Sequence, residues 1–207
     1  IVEVGARAEQ VDVEGVAGNA NLVYVGTAAG GVWKTTNGGT TWAPLFDKQP
    51  TLSIGDLALE PGNPDVIYAG TGEANVRNSV SFGRGMYKST DGGRSWRFIG
   101  LGDTRHIARV MVNPADTRTV YTCAVGHMAG PNAERGVFVS RDGGTTWSKT
   151  LYVDDKHGCA DLDVDRLERG GGLGVALDHG RCNHRGDAHL GVSSFIIGTN
   201  QKPISRA

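Results

Sequence analysis

Thr35-Thr36-Asn37-Gly38-Gly39-Thr40-Thr41-Trp42, Ser89-Thr90-Asp91-Gly92-Gly93-Arg94-Ser95-Trp96 and Ser140-Arg141-Asp142-Gly143-Gly144-Thr145-Thr146-Trp147 are three copies of one octet. Each copy runs hydroxyl residue, any residue, Asp or Asn, Gly-Gly, any residue, Thr or Ser, Trp. The closing tryptophans lie 54 and then 51 residues apart. A period of that size marks a repeat architecture in which each unit is one supersecondary element. Two adjacent glycines supply the positive φ angles of a tight reversal, and the Asp or Asn oxygen can accept backbone N–H groups inside it. The octet therefore predicts a hairpin turn, with the Trp on the outgoing strand lidding its apolar side. Asn37, Asp91 and Asp142, with Trp42, Trp96 and Trp147, are read as structural. A carboxylate committed to its own turn is a poor acid, base or calcium ligand, and Asn37 shows that the turn does not need the charge.

Cut at the octets, the chain yields four strand-like runs per repeat. The second repeat gives Ile54–Leu59, a turn at Pro61-Gly62-Asn63-Pro64, Val66–Thr71, a loop from Glu73 to Gly83, Gly85–Ser89, the octet, and Trp96–Leu101. The third repeats the order with Ile107–Val112, Thr119–Val125, a loop from His127 to Arg135, Gly136–Ser140 and Trp147–Val153. The first has Val11–Val16, Leu22–Thr27, a minimal loop and Val32–Thr35, and a further first strand begins near Ala160. The expected fold is all-β: a partial β-propeller of about three four-stranded blades plus the first strand of a fourth, over residues 1–165.

Beyond Arg166 the pattern stops. Residues 166–207 carry no Tyr or Trp and no octet, and instead hold His179, Cys182, His184 and His189 among Gly and Arg. We read this stretch as an atypical, disordered tail of the kind a frameshift or misjoined end produces. Its His and Cys spacing matches no familiar metal site. No metal and no cofactor are expected anywhere in the chain. Cys123 and Cys159, far apart in sequence, are expected as small buried side chains.

With 207 residues and a formal charge of −1 the chain is too balanced to suggest nucleic acid as a partner. No apolar run approaches the ~20 residues of a membrane-spanning helix. Propellers close with about 4 to 8 blades, so residues 1–207 are expected either to be part of a longer propeller or to close a ring with another copy.

The octets resemble the Asp-box, or BNR, repeat of propellers in sialidases, xyloglucan hydrolases, sortilin-type receptors and photosystem-assembly factors. The run Tyr24 to Lys34 resembles the first blade of the xyloglucan hydrolases, in which the position of Ala28 holds a catalytic Asp; the resemblance thus argues against glycosidase chemistry at that point. Residues 30–36, 68–73 and 135–138 resemble sortilin-type and related bacterial propellers. That likeness implies a binding or interaction module for protein or peptide ligands outside the cytoplasm. A glycoside hydrolase or carbohydrate-binding role and an assembly chaperone are the alternatives.

In such a fold the loops between strands two and three, and between strand four and the next strand one, share one face, and loops on a rigid scaffold carry function. That face selects Glu73, Asn75, Arg77, Arg105, His106 and His127 as ligand-binding candidates, mixing donors with an acceptor. Glu73 with His106 or His127 would be the acid and base of an enzyme. The competing reading makes the same polar groups clasps between loops.

Overall fold

The computed structural model describes residues 10–75, 80–164, 173–178 and 192–197. Three antiparallel four-stranded sheets follow one another along the chain, each a simple meander. The first comprises β1 (Gln10–Val16), β2 (Asn19–Thr27), β3 (Gly31–Thr35) and β4 (Ala43–Pro44). The second comprises β5 (Ile54–Glu60), β6 (Asn63–Thr71), β7 (Met86–Ser89) and β8 (Arg97–Gly100). The third comprises β9 (Ile107–Val112), β10 (Val120–Ala124), β11 (Gly136–Ser140) and β12 (Ser148–Leu151). These are the blades expected from the octets, and the fold is a partial β-propeller.

A fourth sheet starts at β13 (Gly158–Val164), as the sequence predicts, and continues through β14 (Leu173–Asp178) and β15 (Val192–Ile197). Two stretches of the tail thus pair as backbone strands. The rest of residues 166–207, including His179, Cys182, His184 and His189, lies outside the described residues.

The octet turns form as the residue types require. Gly92 and Gly93 have φ of 70° and 89°, and Gly143 and Gly144 have 71° and 92°, the left-handed region where a side chain is strained. Ser89 Oγ donates to Asp91 Oδ1 at 2.8 Å and accepts from Gly93 N at 2.8 Å. Asp91 in turn accepts from Ser95 N at 2.9 Å and from Ser95 Oγ at 2.6 Å. These donors, led by the Ser95 hydroxyl, pull the Asp91 carboxyl down to about 2. Asp142 is lowered in the same way, first by Thr146. In the first octet Asn37 Oδ1 accepts from Thr41 N at 2.9 Å while its Nδ2 donates to Thr41 Oγ1 at 2.9 Å. The amide preserves the bonds by reversing the last one.

The tryptophans do more than lid their own turns. Trp96 Nε1 donates to Leu45 O at 3.0 Å, and Trp147 Nε1 to Ile99 O at 2.7 Å, each reaching back to the blade before. The apolar core correspondingly lies at the seams. Tyr24, Val32 and Phe46 of blade one pack with Ile54, Leu57 and Tyr87 of blade two. Tyr68, Met86 and Ile99 of blade two pack with Ile107, Val110 and Val120 of blade three.

Close approach of the inner strands sets each seam. A Cβ at Gly26 would stand 2.7 Å from Ile54 Cγ2, and one at Gly70 would stand 2.5 Å from Ile107 Cγ2. Strand two therefore gives up a side chain where the next blade's first strand inserts an isoleucine. In register Cys123 takes the place of these glycines and Cys159 that of the isoleucines. The two cysteines are buried as expected, but they are also bonded to each other. The cross-link spans 36 residues of sequence, which restrains the unfolded chain by about 4 kcal/mol in the loop-entropy picture.

The rear bond of the octet Trp is testable by denaturant unfolding. Trp147→Phe keeps the ring but leaves Ile99 O without its donor, so it is expected to cost about 1–2 kcal/mol. A variant as stable as the parent would remove the indole bond from the account of the seam.

Candidate functional site

Five loops adjoin one another in chain order: 45–53, the described parts 72–75 and 80–85 of the next, 101–106, 125–135 and 152–157. Backbone bonds lace them together. Gly72 N donates to Ser53 O at 2.8 Å, Gly83 N to Arg105 O at 2.7 Å, and Asn132 N to Asp155 O at 2.9 Å. Gly72 is required here, since φ is 90° and a Cβ would fall onto the Arg105 carbonyl.

The candidate residues divide into a buried and an exposed set. Glu73 and His106 are buried. Glu73 N donates to Ser53 Oγ at 3.0 Å, and His106 Nδ1 lies 2.8 Å from Glu73 O. A carbonyl only accepts, so His106 carries its proton on Nδ1 in this bond. Burial pushes the His106 pKa below its ordinary value, partly opposed by the Glu73 carbonyl. The expected acid–base partners thus meet through a backbone carbonyl, and His106 ties the 72–85 loop to the 101–106 loop. His127 likewise donates from Nε2 to Asp103 O at 3.0 Å.

Asn75 and Arg105 face outward. Arg105 has φ of 60°, a left-handed conformation uncommon for a residue with a Cβ. Its guanidinium lies over Phe82 at 5.4 Å from the ring centroid, and Phe82 is 59% exposed. Arg77 lies outside the described residues. Arg135 donates to the carbonyls of Val125 at 3.0 Å and His127 at 2.6 Å. It holds its loop in shape.

The innermost strands carry a second polar group that the sequence reading did not single out. Asp12, Asp56, Arg109 and Asp161 occupy the same register position in β1, β5, β9 and β13. Asp12 Oδ2 accepts from Leu57 N at 3.0 Å, and Asp56 Oδ2 accepts from Val110 N at 2.6 Å, so each carboxylate fastens its strand to the next blade. Arg109 stands between Asp56 and Asp161, 3.7 Å from each. Burial, followed by the Asp12 charge, pushes Asp56 up to about 8. Glu14 is raised to about 7, again first by burial and then by Asp12. The signal available in sequence was an acidic residue recurring at one point of successive first strands. The register needed to see it comes only from the pairing.

A cavity of about 410 Å³ lies beside the second octet, lined by Lys88, Thr90, Ser95, Trp96 and Arg97. Its groups already serve the turn and the seam: Lys88 Nζ donates to Gly143 O at 3.0 Å and Ser95 Oγ to Asp91. Among the described residues no three His, Cys, Asp or Glu side chains are placed to hold a metal ion. No helix among them is long and apolar enough to cross a membrane.

No family model matches the chain. A Paenibacillus xyloglucanase is 29% identical over 143 residues, covering 62% of this chain and 13% of that enzyme. Among solved structures, a GH74 enzyme from Niastella koreensis aligns over 88% of this chain and 27% of its own, with a TM-score of 0.64 and 22% identity. YCF48 bound to D1 peptide aligns over 89% of this chain and 54% of its own, with a TM-score of 0.51 and 14% identity. These likenesses show the fold: blades of a β-propeller of the kind found in GH74 enzymes and YCF48.

The inner carboxylates make stability depend on pH. Their folded values lie above the ordinary range, so their contribution is complete below about pH 4 and is lost as pH rises through about 7 to 8. The Tm is therefore expected to be higher at pH 5 than at pH 8.5, and Asp56→Asn is expected to flatten that slope. Buried His106 acts in the opposite sense, so the deciding comparison is between variants: an Asp56→Asn protein that keeps the parent's pH slope would refute the assignment.

Proposed function

We propose that these blades belong to a glycan-acting propeller of the xyloglucanase type and supply binding surface to it. The observation that carries this reading is the outward Phe82 ring, backed by the Arg105 guanidinium where the five loops adjoin one another. An apolar ring beside a planar donor suits a sugar, which presents C–H faces and hydroxyl edges together. Asn75, Arg105 and His127 are the polar contacts of this surface, and Arg77 is a further candidate on the same loop as Asn75. Glu73 and His106 act behind it as positioning residues, fixing the height of the two loops.

The similarity to a Paenibacillus xyloglucanase favours this over the peptide-binding role suggested by the sortilin-type likeness. Bond cleavage is not assigned to this chain. A glycosidase needs two carboxyl groups across the scissile bond, and Ala28, buried in the short loop of blade one, stands where the resemblance places one of them.

Xyloglucan oligosaccharide is the probe, measured by calorimetry beside a peptide array. Phe82→Ala is expected to weaken glycan binding about tenfold, a loss of about 1.4 kcal/mol, with the melt unchanged. His106→Ala is expected to lower the Tm as the clasp to Glu73 O is lost. Binding of peptides, with none of xyloglucan, would reverse the assignment.

A further inference from the structure

The third seam lacks, among the described residues, each of the ties that hold the first two. At the first seam Tyr24 OH donates to Pro64 O at 3.2 Å and Lys34 Nζ to Gly92 O at 3.2 Å. At the second Tyr68 OH and Lys88 Nζ both reach Gly143 O, at 3.4 and 3.0 Å. Both seams also have the rear Trp bond and the inner Asp bond to the next blade.

In blade three Tyr121 keeps the Tyr place, but Val139 pairs with it where Lys34 pairs with Tyr24 and Lys88 with Tyr68. Arg109 stands in the Asp place. No tryptophan follows Trp147 in the 207 residues. The described residues supply a loop bond from Asn132 N to Asp155 O, and an Arg109–Asp161 pair whose side chains are 44% and 64% exposed and which contributes little. Among the described residues the accompanying apolar cluster buries Cys123, Val137, Cys159 and Leu162, with Ala108, Met111, Tyr121 and Leu151 packed against it. The disulfide joins two of its buried members.

We propose that Cys123–Cys159 is a redox latch that holds the fourth sheet against blade three, and that its reduction releases β13 while the first two seams stay closed. A dithiol reductant supplies two electrons and two protons, leaving two cysteine thiols and a disulfide on the reductant. Both cysteines are buried, so the reaction proceeds through opening of this seam and not from the folded surface. The latch is strongest in an oxidising compartment.

Hydrogen exchange read by mass spectrometry on the full chain, with and without dithiothreitol, tests this. Reduction is expected to speed exchange in β13 by at least about tenfold while leaving β5 and β6 as they were. Cys123→Ser with Cys159→Ser is expected to show the fast β13 exchange without reductant and no further response to it. Unchanged β13 protection after complete reduction, confirmed by thiol labelling, would overturn the proposal. So would an equal acceleration in all blades, which would make the bond a support of the whole fold.

Discussion

The first two seams of this propeller depend on a side chain that is missing. Gly26 and Gly70 leave room for Ile54 and Ile107, and that contact sets how near one inner strand comes to the next. Once the strands are this close, Asp12 and Asp56 can reach across to a neighbouring backbone N–H, and the Trp of each later octet can reach a carbonyl of the blade before. The apolar clusters gather at the seams for the same reason. A single blade is a sheet with two uncovered faces, and neighbours complete its core.

The octet has a different task. It closes the outer hairpin with bonds internal to eight residues, so it forms without help from the next blade, and its Asp or Asn is consumed in doing so. Function has to be sought elsewhere, on the opposite loops, where Gly72 permits strand ends to crowd and the 72–85 and 101–106 loops lean on each other. There the polar residues separate by depth. Glu73 and His106 are inside and hold geometry; Asn75, Arg105 and Phe82 are outside and meet solvent.

Local chemistry was legible in the sequence, and long-range pairing was not. Gly-Gly after Asp announces a turn because the requirement lies within a few residues. Pro61-Gly62 marks a strand end for the same reason, although β6 begins at Asn63, three residues before the expected Val66. The direction of the Trp96 indole, the Asp12-Asp56-Arg109-Asp161 row and the Cys123–Cys159 bond each need the register of two strands that are far apart in the chain. The cysteines appeared unrelated until β10 and β13 were set beside β6 and β9. Glu73 and His106 could be placed on adjoining loops from the sequence, but which atoms meet, a ring nitrogen and a main-chain carbonyl, depends on loop geometry that composition does not encode.

The rim bonds also impose an order in time. Lys34 finds its acceptor 58 residues further along the chain, and Lys88 finds its own 55 residues on. As the chain leaves the ribosome, a blade can complete its own hairpins early but can close its rim only after the following octet has emerged. Assembly therefore trails synthesis by about one blade. Blade three, with Val139 at the lysine position, waits for no such acceptor, and its covalent tie to β13 forms only when Cys123 and Cys159 are oxidised.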